Sequence, residues 1–275
     1  MKKIMLFLNL LLFVSAGFAQ TPSNQIGGRE VYNGEDVVFR EIDEHTWVGT
    51  GKLVSNESLY LLEGSDKALL IDAGTKIKDL DKIVASITSK PVMLVATHVH
   101  PDHTGSAIND FPELYINAAD TVNIPQMMPD YKGELKFLSD GEIIDLGGRK
   151  VEVIFTPGHT PGSTTFIDKK AGYGFSGDSF GSGNLLLTTD FSTLAKTSKK
   201  TSAIMDKYRI TKFYPGHYFG MNEETKRRVD DLLTISEEVL AGKEKGTENP
   251  QGMLGLNLLV NKFGVRVNYN ETAIH

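Results

Sequence analysis

Thr97-His-Val-His-Pro-Asp-His-Thr-Gly105 follows directly on the apolar run Pro91-Val-Met-Leu-Val-Ala96. The apolar run predicts a buried strand. The stretch after it sets three imidazoles and one carboxylate, His98, His100, Asp102 and His103, into six positions of a chain with seven histidines. These are borderline donors suited to zinc or a similar divalent transition metal. The pattern therefore places candidate ligands where a rigid strand gives way to a loop.

Working outward, the same arrangement recurs. His159 lies in Thr156-Pro-Gly-His-Thr-Pro-Gly162, after the strand-like Val151-Glu-Val-Ile-Phe155. Asp178 lies in Phe175-Ser-Gly-Asp-Ser179 and His217 closes Phe213-Tyr-Pro-Gly-His217. Each follows a short apolar stretch, and both histidines sit beside Pro and Gly, which punctuate loops. His45 and His275 stand apart, the first as a surface or packing histidine and the second as a chain-end residue.

With HxHxDH at 98–103, then His159, Asp178 and His217 in order, and Leu69-Leu-Ile-Asp72-Ala-Gly74 upstream, the sequence resembles the metallo-β-lactamase fold superfamily of hydrolases. The resemblance spans about residues 40 to 220. It implies an α/β (α+β) fold, an αββα sandwich of two mixed β-sheets flanked by helices, with the site at one edge where strand-end loops converge. It further implies two divalent metal ions, zinc first, with iron or manganese as other occupants. His98, His100 and His159 would hold one ion, Asp102, His103 and His217 the second, and Asp178 would bridge them. The nucleophile would be a metal-bridging hydroxide, with Asp102 and His103 as the catalytic pair and Asp102 orienting the hydroxide. Two dications about 3.5–4 Å apart need such an anionic bridge, and they bring a bound water towards a pKa of about 7.

Asp72 matches a position that supports the site through an imidazole in this superfamily; a turn-forming Asp at a strand end is the other reading. An aspartate at position 178, in a chain without cysteine, looks like the glyoxalase II, lactonase and ester-hydrolase branches. Thr104 and Gly105 are expected to open a helix near the metals. Residues 121–133 and 180–189 are candidate substrate-facing loops, with Tyr131 and Asn184 as contacts. Tyr218 either donates to a substrate carbonyl or packs. Gly181-Ser-Gly183 reads as a flexible loop, since no strand, Gly-loop and helix with a Lys follow one another there.

Residues 1–19 read as a cleavable signal peptide: Lys2 and Lys3, an apolar stretch from Ile4 to Val14, and Gly17-Phe-Ala19 before Gln20. The stretch is shorter than the roughly 18 residues that span a bilayer. The expected location is periplasmic or secreted, without stable membrane insertion after cleavage. Residues 20–275 are read as one metallo-hydrolase domain, long enough for a core without disulfides. The formal charge of −6 becomes more negative without Lys2 and Lys3, which argues against nucleic acid as a partner. The expected partner is a small-molecule substrate.

Short strands are expected at 38–42, 46–49, 58–62, 68–71 and 114–116, after a loose lead-in over 20–35. Helical spacing marks 77–87, 190–208 and 223–241, with Glu223 and Glu224 favouring the start of the last and Gly242 its stop. Leu258–Val260 and Val265–Val267 suggest a hairpin in the tail. The leading functional reading is a dinuclear zinc hydrolase of a small ester, thioester, lactone or amide. β-Lactam hydrolysis is the most testable alternative, a mononuclear iron persulfide-type dioxygenase the second, and a non-catalytic metal-binding protein the third.

Overall fold

In the strand Ser58–Glu63, Leu59 and Leu61 join one cluster of buried side chains while Tyr60 and Leu62 join another. That period of two puts apolar residues on both faces, as a central strand of a covered sheet requires. The computed structural model describes residues 26–53 and 55–275. The expected signal peptide lies outside the described residues, and no helix among the described residues is long and apolar enough to cross a membrane.

The first sheet runs in chain order through β1 (Glu30–Asn33), β2 (Val37–Asp43), β3 (Thr46–Gly51), β4 (Ser58–Glu63), β5 (Ala68–Ile71), β6 (Val92–Val95), β7 (Glu113–Ile116) and β8 (Glu134–Phe137). Its opening half is an antiparallel meander, and from β5 onward the pairing is parallel. The segment expected as a loose lead-in thus carries an edge strand: β1 pairs with β2 and buries part of Val31 and Tyr32. The crossover from β5 to β6 is helix α1 (Leu80–Ile87), which begins three residues later than its periodicity suggests, and the one-turn α2 (Ile124–Met127) lies between β7 and β8.

The second sheet comprises β9 (Ile143–Asp145), β10 (Lys150–Phe155), β11 (Thr164–Asp168), β12 (Tyr173–Gly177) and, after β13 (Asn184–Leu186), β14 (Lys212–Pro215) and β15 (Glu224–Thr225). Its order is β15-β14-β12-β11-β10-β9, with only β12 and β14 parallel. Two outer helices cross it. Asp190 caps α3 (Phe191–Tyr208) through the Thr193 amide, and Thr225 caps α4 (Lys226–Leu240) through that of Arg228. Glu223 and Glu224 therefore do not start that helix. Glu224 pairs with Phe213 in the sheet and is fully buried.

Three buried clusters separate four layers. Leu70, Leu94 and Leu114 meet α1 outside the first sheet. Tyr60, Leu69, Ile71 and Val95 face Val151, Val153, Phe166 and Phe175 between the sheets. Ile154, Ile167 and Phe213 meet α3 and α4 outside the second. Each fully buried aromatic or aliphatic side chain contributes about 1.5–3 kcal/mol. The result is an αββα sandwich of two mixed sheets, with one addition. A third sheet, β13-β18-β17-β16, joins β13 to β16 (Thr247–Glu248), β17 (Leu258–Lys262) and β18 (Val265–Tyr269). The expected tail hairpin is present as β17–β18.

Candidate metal centre

Every candidate ligand leaves a strand at its C-terminal end: His98, His100, Asp102 and His103 after β6, His159 after β10, Asp178 after β12 and His217 after β14. Both sheets contribute, so the two must pack for the groups to meet. They do meet. His100 Nδ1 lies 3.1 Å from His98 Nε2 and 2.9 Å from His159 Nε2. His217 Nε2 lies 3.4 Å from carboxylate oxygens of both Asp102 and Asp178. Asp178 also approaches His103 Nε2 at 3.7 Å and His159 Nε2 at 3.8 Å. Within 4.8 Å of one another stand three triplets: His98, His100 and His159; His98, His103 and Asp178; and Asp102, His103 and His217.

Two glycines let this happen. A Cβ on Gly216 would stand 2.3 Å from Asp178 Oδ1 and 2.6 Å from His103 Cε1. Gly177, at φ +51°, would drive one to 2.3 Å from Thr97 Oγ1. The Gly-Asp and Gly-His pairs are thus packing requirements as well as turns.

The outward nitrogen of four rings faces an oxygen acceptor, which sets the tautomer. His103 Nδ1 donates to Asp72 Oδ2 at 2.8 Å, His159 Nδ1 to the Leu186 carbonyl at 2.8 Å, and His217 Nδ1 to the Ser55 carbonyl at 3.0 Å. Thr97 Oγ1 donates to Asp72 Oδ2 at 2.9 Å and so accepts from His98 Nδ1 at 3.1 Å. All four Nε2 lone pairs are thereby directed inward, the arrangement that metal-binding histidines need. His103 Nε2 is buried and has no hydrogen-bond partner. A divalent cation between these lone pairs and the two carboxylates fits the donor set.

Asp72 is the hub of this orientation. It sits at the end of β5 in the left-handed region, φ 65°, which Asp tolerates better than most residues. Besides His103 and the Thr97 hydroxyl it accepts the Thr97 amide at 2.7 Å, and it is 1% exposed. A second buried carboxylate, Asp120, went unnoticed in the sequence. It accepts the amides of Val99 and Gly162 at 2.7 Å each and the Thr160 hydroxyl at 2.9 Å. It therefore clamps the His98–His103 loop to the His159 loop. Nothing in Asn117-Ala-Ala-Asp120 marks that role, because both partners are remote in sequence.

Charge follows geometry. Burial, then the neighbouring imidazoles, depress His98 well below the usual range and His100 to about 4. Burial acts the same way on His103, but Asp72, Asp102 and Asp178 outweigh it and lift the group to about 9. Burial likewise opposes ionisation of Asp178, yet His217 and His103 hold its carboxyl well below the usual range. The site is preset as neutral histidines on one side and imidazolium–carboxylate pairs on the other, and an incoming dication would expel the imidazolium protons.

The substrate-facing expectations meet a different environment. The Tyr131 hydroxyl bonds to the Glu134 carbonyl at 3.3 Å while its ring packs on the first cluster. Asn184 Oδ1 accepts from Asn268, and Tyr218 is buried with its hydroxyl on Gly220 and Glu223. Tyr131 and Tyr218 bond to nearby residues of their own segments, and Asn184 is exposed at the start of β13. Thr104 and Gly105 lead only into a single 3-10 turn, Ser106–Asp110, so no α-helix opens there. Gly181–Gly183 is also a 3-10 turn, held by the Ser182 amide donating to Glu224.

Histidine lone pairs and carboxylates gathered at the strand ends of a four-layer sandwich make this a site for divalent cations. A family model described as the metallo-beta-lactamase superfamily matches residues 54–217, and the chain belongs to that superfamily. Among similar proteins is acyl-coenzyme A thioesterase MBLAC2 of Homo sapiens, 25% identical over 202 residues, covering 58% of this chain and 72% of that protein. The Gallus gallus protein of the same name is 23% identical over 205 residues, with the same coverage. Among solved structures, a metallo-beta-lactamase from Pontibacter korlensis superposes with a TM-score of 0.58 at 17% identity, covering 73% of this chain and 99% of that one.

Proposed function

We propose that this protein is a periplasmic or secreted dinuclear zinc hydrolase of a small acyl thioester or ester, with lactones and amides as related substrates. The observation that carries the reading is the position of Asp178, whose carboxylate comes within 4 Å of His159 in one triplet and of His103 and His217 in the other. His98, His100 and His159 would hold the first ion, and Asp102, His103 and His217 the second. When bound, such a pair supplies Lewis acidity and a water acidified to near neutral pH. Asp102, partly exposed beside His217, orients the attacking water by accepting a hydrogen bond from it. The relatives named as acyl-coenzyme A thioesterases support a thioester ahead of the other bonds. The lysine-flanked apolar start of the chain supports export, and residues 20–275 act as one domain.

The test is zinc-reconstituted protein assayed against acyl thioesters, lactones, phosphodiesters and the β-lactam nitrocefin, with a chelated control and metal counted per chain. Two zincs with thioester or ester turnover are expected. One iron per chain with oxygen consumption on a persulfide would overturn the reading in favour of an oxygenase. Asp178→Asn is expected to lower zinc occupancy and turnover together, turnover by more than about 100-fold; two zincs retained at full activity would remove Asp178 from the bridge.

A further inference from the structure

His159 owes its orientation to a peptide unit outside both large sheets. Its Nδ1 donates to the carbonyl of Leu186, the last residue of β13. The N–H of that same peptide, on Leu187, donates to the Asn268 carbonyl at 2.9 Å. In a trans peptide the N–H and C=O point in opposite directions, so anchoring one end on Asn268 aims the other at His159.

The anchoring extends further. β13 is three residues long, and its neighbour in the sheet is β18, parallel to it, with Leu186 opposite Asn268. The Asn268 side chain is 3% exposed. Its Nδ2 donates to Asn184 Oδ1 at 3.0 Å and to the Leu185 carbonyl at 3.2 Å, and its Oδ1 accepts from Asn249 Nδ2 at 3.1 Å. Beyond β13, Thr188 Oγ1 donates to the His159 carbonyl at 2.6 Å and Thr189 Oγ1 to that of Gly158 at 2.9 Å. Residues 184–189 thus form a cradle for the His159 loop, and the C-terminal sheet sets its register. Apart from β13, the strands of that sheet lie past the matched residues 54–217.

We propose that Asn268 is a positioning residue for His159: by locking β13 onto β18 it aims the Leu186 carbonyl at the imidazole and so tunes one of the two metal subsites from the far end of the chain. This rests on the reading of His159 as a metal ligand. Second partners of ligating histidines typically matter about 10- to 100-fold in metal affinity.

The experiment titrates cobalt(II) into metal-free full-length protein with a competing chelator, following the ligand-field spectrum, alongside exchange of the His159 Nδ1 proton in histidine-labelled protein. Asn268→Leu is expected to weaken one cobalt equivalent about 10- to 100-fold, leave the other within a few-fold, and speed exchange of that proton. A residue serving stability alone would lower the melting temperature with both equivalents unmoved, and that result overturns the proposal. Should Asn268→Leu fail to fold, Asn249→Ala keeps Asn268 in place and withdraws only its Oδ1 partner. A selective loss of about threefold or more supports the proposal, and unchanged binding and exchange overturn it. If the parent chain took up no cobalt, the ligand reading itself would fall, which is distinct from two equivalents bound equally by parent and variants.

Discussion

Asp72 shows how one side chain can set several others. It faces His103 directly and His98 through the Thr97 hydroxyl, so two rings take their tautomer from one carboxylate. In Asp72→Asn the amide keeps one acceptor oxygen but opposes a donor to a donor at His103 or Thr97. The expected outcome is a 10- to 100-fold loss in zinc affinity with the fold retained, read by chelator competition and far-UV circular dichroism. Affinity equal to the parent's would reduce Asp72 to a turn former. The seven candidate ligands were legible because their residue types and spacing are chemical signals in themselves. Asp120 was not, because a carboxylate accepting backbone amides is distinguished only by the amides that fold brings to it.

At the scale of elements, the site is a set of loops held by buried acceptors. Asp120→Ala would strand the Val99 and Gly162 amides and the Thr160 hydroxyl in a buried setting. A cost of about 3–5 kcal/mol is expected in urea denaturation; a change below about 1 kcal/mol would mean that the two loops stand without the clamp. Glu224 tethers the turn after Asp178 by accepting from Ser182. Burial raises its carboxyl from 4.5 to about 7, with Arg228 opposing. Because the folded value is the higher one, its contribution to stability is complete below about pH 4.5 and lost as pH rises through about 7. Glu224→Gln should therefore gain on the parent between pH 5 and pH 8, by up to about 3 kcal/mol. Thermal melts differing by a constant amount across that range would refute the assignment. The apolar runs announced β4, β5 and β6. The edge strand β1 was missed, since its pattern is half-exposed and only pairing with β2 defines it. The start of α4 was misread for a related reason: Glu224 has the residue type of a first helical turn, but pairing with β14 and burial claim it.

Across the whole molecule, ligands from both sheets make metal binding a measure of the native state. An ion that binds the folded chain and not the unfolded one stabilises it by about 2.7 kcal/mol at a hundredfold excess over its Kd. For a chain of this size chelation should lower the melting temperature by about 5–10 °C, and added zinc should restore it. An unchanged melt would mean that the triplets are stable without an ion. Sequence alone determined the donor types, their order, most strands and helices and the glycines that flank the ligands, because ligand chemistry and hydrophobic period are written in local residue identity, while the layering followed from the family resemblance. Tertiary structure alone decided that Asp120 ties the two ligand loops together and that the tail's β18 pairs with β13 behind His159. Those outcomes depend on hydrogen-bond partners tens of residues away, and no local pattern encodes which amide or ring a given oxygen will meet.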